Sequence, residues 1–131
     1  MDAFTKILLV GCGGFVGAVG RYLLSSLVRE KTLQSVFPFS TLAVNVVGCF
    51  AIGLLLGLAE ERGFFGTKEA QARLFLVTGI LGSFTTFSTF AWDGLGLFRG
   101  GEAGVVVLYV AASVGLGFAA VWLGWKVVGV G

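Results

Sequence analysis

The sequence between residues 79 and 93 is GILGSFTTFSTFAWD. It lies in an otherwise apolar part of the chain, yet five of the seven residues from Ser83 to Thr89 carry a hydroxyl group. Phenylalanine recurs at every third position, at Phe84, Phe87 and Phe90. Hydroxyl groups and aromatic rings are therefore concentrated where a lipid-facing helix would carry leucine, and this makes the stretch the candidate functional element.

The composition of the whole chain is that of an integral membrane protein. Of its 131 residues 56% are hydrophobic and 12% are charged, whereas soluble domains have about 25% charged residues. The net charge of +2 forms no basic run, so we expect no nucleic-acid partner. Histidine is absent, which removes the commonest metal ligand and general base, and we expect no enzymatic activity. Cys12 and Cys49 lie in apolar segments and indicate packing, not a disulfide or a metal site.

Four apolar segments are each long enough to cross a bilayer, which takes about 20 helical residues. We predict an all-α membrane protein with a single domain over residues 1–131 and with spans at about 4–28, 39–59, 74–91 and 103–125. The first segment is too long for a signal peptide and lacks a cleavage site, so we expect it to remain. A glycine-rich connection is predicted over residues 94–102. A soluble helical bundle is disfavoured because these helices have no polar face.

The charged residues of the loops hardly favour one orientation. With four spans, one side of the membrane would carry five cationic residues and the other side three: Lys6, Arg62, Lys68, Arg73 and Lys126 against Arg29, Lys31 and Arg99. A bias this weak would allow the chain to insert both ways up. Two oppositely inserted copies could then form an antiparallel homodimer, and we take this dual topology as a hypothesis.

Outside the third segment, a few polar residues lie where helix packing or ion contact could use them. Arg21 shares a helix face with Gly17 and either extends toward the headgroups or has an electrostatic role. Asn45 follows Thr41 by four residues and could donate to an anion or join two helices. Tyr109 and Ser113 form a similar pair on the fourth segment.

The third segment has the features of an interrupted helix. Gly79 and Gly82 weaken helical continuity, and the following hydroxyl groups compete for backbone partners, so we predict a local break there. Such a break is tolerated at membrane depth where it is buried in protein or lines a watery cavity. It also frees carbonyl groups that could hold a cation.

Phe87 and Phe90 lie one turn apart on the same face. A plain packing stripe is one interpretation; the other is that the positive edges of the rings meet an anion. No carboxylate lies in the middle of a span, although a proton-coupled carrier usually has one there. Spans that carry hydroxyl donors and no acidic residue favour a pathway for anions.

Three motifs in order make the sequence similar to one family. They are GGFVGAVGRY at residues 13–22, TLAVNVVG at 41–48 and GSFTTFSTF at 82–90. With these motifs the chain resembles the Fluc (CrcB) family of fluoride channels over essentially its whole length. The resemblance implies a passive, fluoride-selective channel in the inner membrane of a prokaryote. It also implies an antiparallel dual-topology homodimer in membrane lipid, with two fluoride pores lined by both subunits.

The resemblance further implies roles for individual residues. Phe87 and Phe90 correspond to pore-lining rings, Asn45 to a pore donor, and Arg21 to a vestibule arginine. A polar track for fluoride corresponds to Ser88, Thr89, Tyr109 and Ser113. A structural sodium ion would be held at the dimer interface by the main-chain carbonyls of Gly82 and Thr85. One family serine is Gly117 here, so its hydroxyl would have to be replaced by water or a neighbour.

Two other classes of protein remain as alternatives. A small multidrug-type exporter is also a four-helix dual-topology dimer, but the chain has no mid-span glutamate for proton coupling. A non-transporting scaffold subunit would use the hydroxyl cluster only to join helices.

Overall fold

The computed structural model describes residues 1–129 of the chain, so residues 130 and 131 of the predicted domain lie outside it. These residues are all-helical apart from short connections. The helices are α1 (Ala3–Lys31), α2 (Phe39–Arg62), α3 (Glu69–Ala72), α4 (Gly82–Phe84), α5 (Phe87–Arg99) and α6 (Ala103–Gly129), with a 3₁₀ turn at Gly66–Lys68 and a π-helical segment at Arg73–Leu81. Within them, α1, α2, the run Gly66–Arg99 and α6 are long and apolar enough to cross a membrane. This confirms the prediction of four spanning segments.

Each helix extends beyond the span predicted for it. The largest difference is at residues 94–102, where a glycine-rich connection was expected and α5 instead continues to Arg99. Glycine lowers helix propensity but does not forbid a helix that neighbouring residues favour. The turn is confined to residues 100–102. It requires a left-handed residue, and Gly101 provides one with a φ of 80°.

The helix ends carry the expected capping interactions. Asp2 caps α1 by accepting hydrogen bonds from the backbone and hydroxyl of Thr5, and these bonds hold the pKa of its carboxyl below the ordinary value. Gly63 ends α2 in the left-handed conformation, with a φ of 55°. The guanidinium of Arg62 donates to the carbonyl of Val128 at 3.1 and 2.8 Å, which joins the ends of α2 and α6.

Glycines bring the helices into direct backbone contact. A Cβ atom added at Gly53 would lie 2.1 Å from the carbonyl oxygen of Val121, and one at Gly124 would lie 2.2 Å from that of Phe50. α2 and α6 form the most extensive helix pair, and α1 packs mainly on the π-helical segment. There a Cβ at Gly13 would lie 3.0 Å from the Cα of Gly79. The abundance of glycine thus has the expected use, which is close approach of membrane helices.

The third span leaves the helical conformation at two threonines. Thr85 has φ −78° and ψ 156°, and Thr86 has φ −150° and ψ 115°, so two extended residues separate α4 from α5. The predicted break covered Gly79, Gly82 and the hydroxyl residues after them; within it, Gly82 has helical dihedrals of −62° and −31°. Gly79 is instead used for the contact with α1. The glycines therefore serve packing, and the threonines carry the change of backbone direction.

Candidate functional site

A cavity of about 420 Å³ opens beside the two extended threonines, and we call it the break cavity. Its wall is formed by α2, the π-helical segment, the extended residues, α5 and α6. Among the predicted site residues it is lined by Asn45, Gly82, Thr85, Phe87, Phe90 and Ser113. A second cavity of about 580 Å³ lies along α2 and α6, and Cys49, Ser113 and Val114 line both.

The side chain of Asn45 bonds to the backbone of Thr86 in both directions. Its Nδ2 donates to the Thr86 carbonyl at 3.0 Å, and its Oδ1 accepts from the Thr86 N–H at 2.8 Å. These two bonds satisfy a peptide group that has left the helix, which a membrane-embedded chain requires. The amide of Asn45 has two N–H groups, so one remains available as a donor.

The hydroxyl of Thr86 caps the N-terminus of α5 and lies within hydrogen-bonding distance of two neighbouring hydroxyl groups. Its Oγ1 accepts from the N–H of Thr89 at 3.2 Å and donates to the Thr89 hydroxyl at 3.0 Å, while Ser88 Oγ lies 3.4 Å away. Thr86 is 9% exposed. Ser88 and Thr89, both predicted for the polar track, thus lie beside Thr86 but do not line either cavity.

Three aromatic rings form a row along the break cavity. The ring centroids of Phe87 and Phe90 are 5.6 Å apart, and those of Phe90 and Tyr109 are 5.0 Å apart. Both pairs are tilted, so ring edges and ring faces are presented side by side. The structure therefore brings together the two phenylalanines and the tyrosine that the sequence had placed on different helices.

A carboxylate that the sequence analysis did not select lies at the end of this row. Asp93 Oδ2 accepts from the Thr41 hydroxyl at 2.6 Å and from the Tyr109 hydroxyl at 3.3 Å. Tyr109 is 0% exposed. The third span was predicted to end at residue 91, which left Asp93 outside it. The sequence spacing could have indicated Asp93 as a site residue. Asp93 follows Phe90 by three residues and Thr89 by four, which puts all three on one helix face.

Ser113 extends the site from Tyr109 toward the second cavity. Its Oγ is the one buried side-chain polar atom in the described part of the chain that has no hydrogen-bond partner. A buried hydroxyl without a partner costs free energy unless a ligand or water binds it. The next turn carries Gly117, and the Cys49 sulfur lies 3.5 Å from the position that a Gly117 Cβ would take. A weak thiol donor is thus the side-chain group nearest to Gly117.

The carbonyls of Gly82 and Thr85 fit the role of cation ligands. In a continuous helix they would accept from the N–H groups of Thr86 and Thr89, respectively. The Thr86 N–H instead donates to Asn45 at 2.8 Å, and the Thr89 N–H donates to the Thr86 hydroxyl at 3.2 Å. Both carbonyls have therefore lost their usual helical donors, and oxygen ligands of this kind suit a hard cation.

Arg21 is half-buried on α1 and lines neither cavity. One protomer therefore does not bring it together with the other predicted residues.

The assembled site offers neutral donors and ring edges, beside the Cys49 thiol and the Asp93 carboxylate. Its free donors are one N–H of Asn45 and the hydroxyl of Ser113, whereas the buried Tyr109 hydroxyl already donates to Asp93. Within residues 1–129, no cluster of His, Cys, Asp and Glu could hold a metal ion. This arrangement can replace part of the hydration shell of a small anion.

Comparison with known proteins gives a consistent result. Residues 8–125 match the family model described as "CrcB-like protein, Camphor Resistance (CrcB)". Three relatives carry the name "Fluoride-specific ion channel FluC". They come from Methylobacillus flagellatus (40% identity, 94% of each chain), Thermus thermophilus (44%, 95% of each) and Rhizobium johnstonii (48%, 93% of this chain and 94% of the relative). The four spanning helices and these matches identify a multi-pass membrane protein, and the chain belongs to the CrcB family.

Proposed function

We propose that this protein is a passive, fluoride-selective channel of the prokaryotic inner membrane, which lets cytoplasmic fluoride leave down its gradient. The observation that carries the proposal is that the GSFTTFSTF motif forms part of the wall of the break cavity in a chain 40–48% identical to proteins named as fluoride-specific channels. The supporting chemistry is the neutral donor set and the ring row described above.

The proposed mechanism exchanges water for protein contacts along a narrow path. Fluoride is small and strongly hydrated, so each lost water must be replaced by a donor or a positive ring edge. The free N–H of Asn45, the rings of Phe87 and Phe90, and the Tyr109 and Ser113 hydroxyls would supply these contacts in turn. Ser88 and Thr89 would act mainly by orienting the Thr86 hydroxyl. A path that fits fluoride would exclude larger halides by size.

Reconstituted protein tests the function directly. Proteoliposomes loaded with potassium fluoride should release it when valinomycin is added, as measured with a fluoride electrode, whereas chloride-loaded vesicles should release little. The matched control is empty liposomes. Fluoride release that requires a proton gradient would favour the multidrug-type exporter, and no release of either anion would favour a scaffold subunit.

We propose further that the working unit is an antiparallel homodimer with two pores. Phe87 is 79% exposed although it lines the break cavity, so one protomer leaves this end of the ring row uncovered. A second copy would complete each pore and would bring Arg21 to a vestibule. Lipid would cover the remaining apolar surface.

Dual topology predicts labelling from both sides of the membrane. In a cysteine-free background, Gln34→Cys in the exposed loop between α1 and α2 should react with an impermeant maleimide in roughly half of the molecules from either side, because the loop charges do not fix orientation. Addition of detergent should then expose the remainder. Complete labelling from one side would overturn the antiparallel arrangement.

A structural sodium ion at the dimer interface is also proposed, held by the main-chain carbonyls of Gly82 and Thr85. A sodium ion that binds the folded dimer and not the unfolded chain stabilises the dimer by about 2.7 kcal/mol when the sodium concentration is 100 times the Kd. Protein purified with N-methylglucamine or potassium in place of sodium should therefore show a lower dimer melting temperature and reduced fluoride efflux. Readdition of sodium should restore both, and equal behaviour in the three salts would remove the ion from the proposal.

A further inference from the structure

Phe37, in the loop between α1 and α2, packs directly on Tyr109. The two ring centroids are 5.5 Å apart with an interplanar angle of 76°, an edge-to-face contact. Phe90 packs on the same tyrosine at 5.0 Å. Tyr109 is therefore held between a loop residue and a ring of the break cavity, and these contacts contribute to its complete burial.

The local sequence fixes Phe37 in this position. The one proline of the chain, Pro38, has φ −80° and ψ 70°, and the Phe39 N–H donates to the Phe37 carbonyl at 2.9 Å. These values define an inverse γ-turn, and the proline ring restricts φ to the angle that the turn needs. The N–H of Phe37 also donates to Ser35 Oγ at 3.2 Å. The loop is thus ordered on both sides of Phe37.

Ring packing must do most of the positioning of Tyr109. Its hydroxyl donates to Asp93 at 3.3 Å, which is long for an O–H···O bond, whereas the Thr41 hydroxyl donates to the same oxygen at 2.6 Å. The carboxylate is therefore held well by Thr41, and the phenol is held only weakly by the carboxylate. The edge-to-face contact with Phe37 and the tilted contact with Phe90 therefore hold the Tyr109 ring in place more firmly than the hydrogen bond does.

We propose that Phe37 is a positioning residue of the anion pathway, which sets the Tyr109 hydroxyl relative to Asp93 and Phe90 without contacting the ion. The inference rests on the proposed function. It assigns a permeation role to the α1–α2 loop, which contributes no residue to the lining of the break cavity.

The test is a comparison of initial fluoride efflux rates in proteoliposomes. Phe37→Ala should lower the rate about three- to tenfold, the range expected from the loss of one aromatic pair. Phe37→Leu keeps an apolar side chain but lacks the ring, so it should lower the rate to a similar extent. It serves as the test variant if Phe37→Ala does not fold. Phe37→Tyr retains the ring and should restore nearly the wild-type rate. Phe98→Ala is the matched control and should leave the rate unchanged, since Phe98 is 67% exposed and lines neither cavity.

A double-mutant comparison separates positioning from general stability. Tyr109→Phe removes the hydroxyl that Phe37 is proposed to position, so Phe37→Leu should cause no additional loss in that background. Losses that multiply in the double variant, a wild-type rate for Phe37→Leu, or a wild-type rate for Tyr109→Phe would each overturn the inference. Absence of fluoride efflux from the wild-type protein would instead overturn the proposed function.

Discussion

Replacing Phe87 and Phe90 together by isoleucine is expected to abolish measurable fluoride efflux while leaving the fold and the proposed dimer intact. The rings lie 5.6 Å apart and both line the break cavity, so each is placed to present an edge to a passing anion. Isoleucine fills similar space without a positive edge. Two unmet contacts, each costing about 1–3 kcal/mol, predict a fall in rate of at least about thirtyfold.

The control for this pair is Phe98→Ile on the same helix. Phe98 is 67% exposed and lines neither cavity, so the same substitution should leave the efflux rate unchanged. Size-exclusion chromatography in detergent should give the same elution volume for all variants. Retention of the full rate by the double variant would show that the two rings pack the helices and do not contact fluoride.

Asn45→Asp is expected to have the second large effect, for two reasons. The carboxylate would still accept from the Thr86 N–H, but it would face the Thr86 carbonyl that Nδ2 now bonds at 3.0 Å. It would also place a negative charge beside the break cavity, which opposes the entry of an anion. We expect fluoride efflux to fall by at least about tenfold, since the unmet carbonyl alone costs roughly 1–3 kcal/mol.

The same amide-to-carboxylate change can be made far from the cavity. Gln71→Glu adds one negative charge at an exposed position in α3 and should leave efflux near the wild-type rate. An unchanged rate in Asn45→Asp would exclude Asn45 from the pathway.

The number and type of the spanning segments could be predicted from the sequence because bilayer thickness sets a simple requirement for length and apolarity. The ends of the helices could not. Residues 94–102 contain glycines and charges that are typical of loops, yet α5 continues to Arg99 because the helix satisfies its own backbone. Composition alone does not distinguish an interfacial helical turn from a loop.

The interruption of the third span illustrates a second limit. Glycine weakens a helix in isolation, and this favoured Gly79 and Gly82 as the point of interruption. Tertiary contact decided otherwise, because Gly79 packs on Gly13 and the Asn45 amide is available to Thr86. A partner on another helix cannot be inferred from the local sequence of the segment.

Asp93 shows how one wrong boundary removes a residue from a candidate site. Because the third span was predicted to end at residue 91, the carboxylate fell outside it and its bonds to Thr41 and Tyr109 were not anticipated. The helix-face spacing from Phe90 contained the necessary signal. The Phe37 contact with Tyr109 had no such signal, because the two residues lie on a loop and a helix that are distant in sequence.

The paired bonds between Asn45 and Thr86 amount to a single rung of β-sheet inside a helical protein. The side-chain amide takes the place of the peptide group that a neighbouring strand would present, with one acceptor and one donor facing Thr86. Membrane proteins normally satisfy their backbone with complete helices or closed barrels. Here one asparagine allows the chain to extend for two residues at membrane depth without building a second strand.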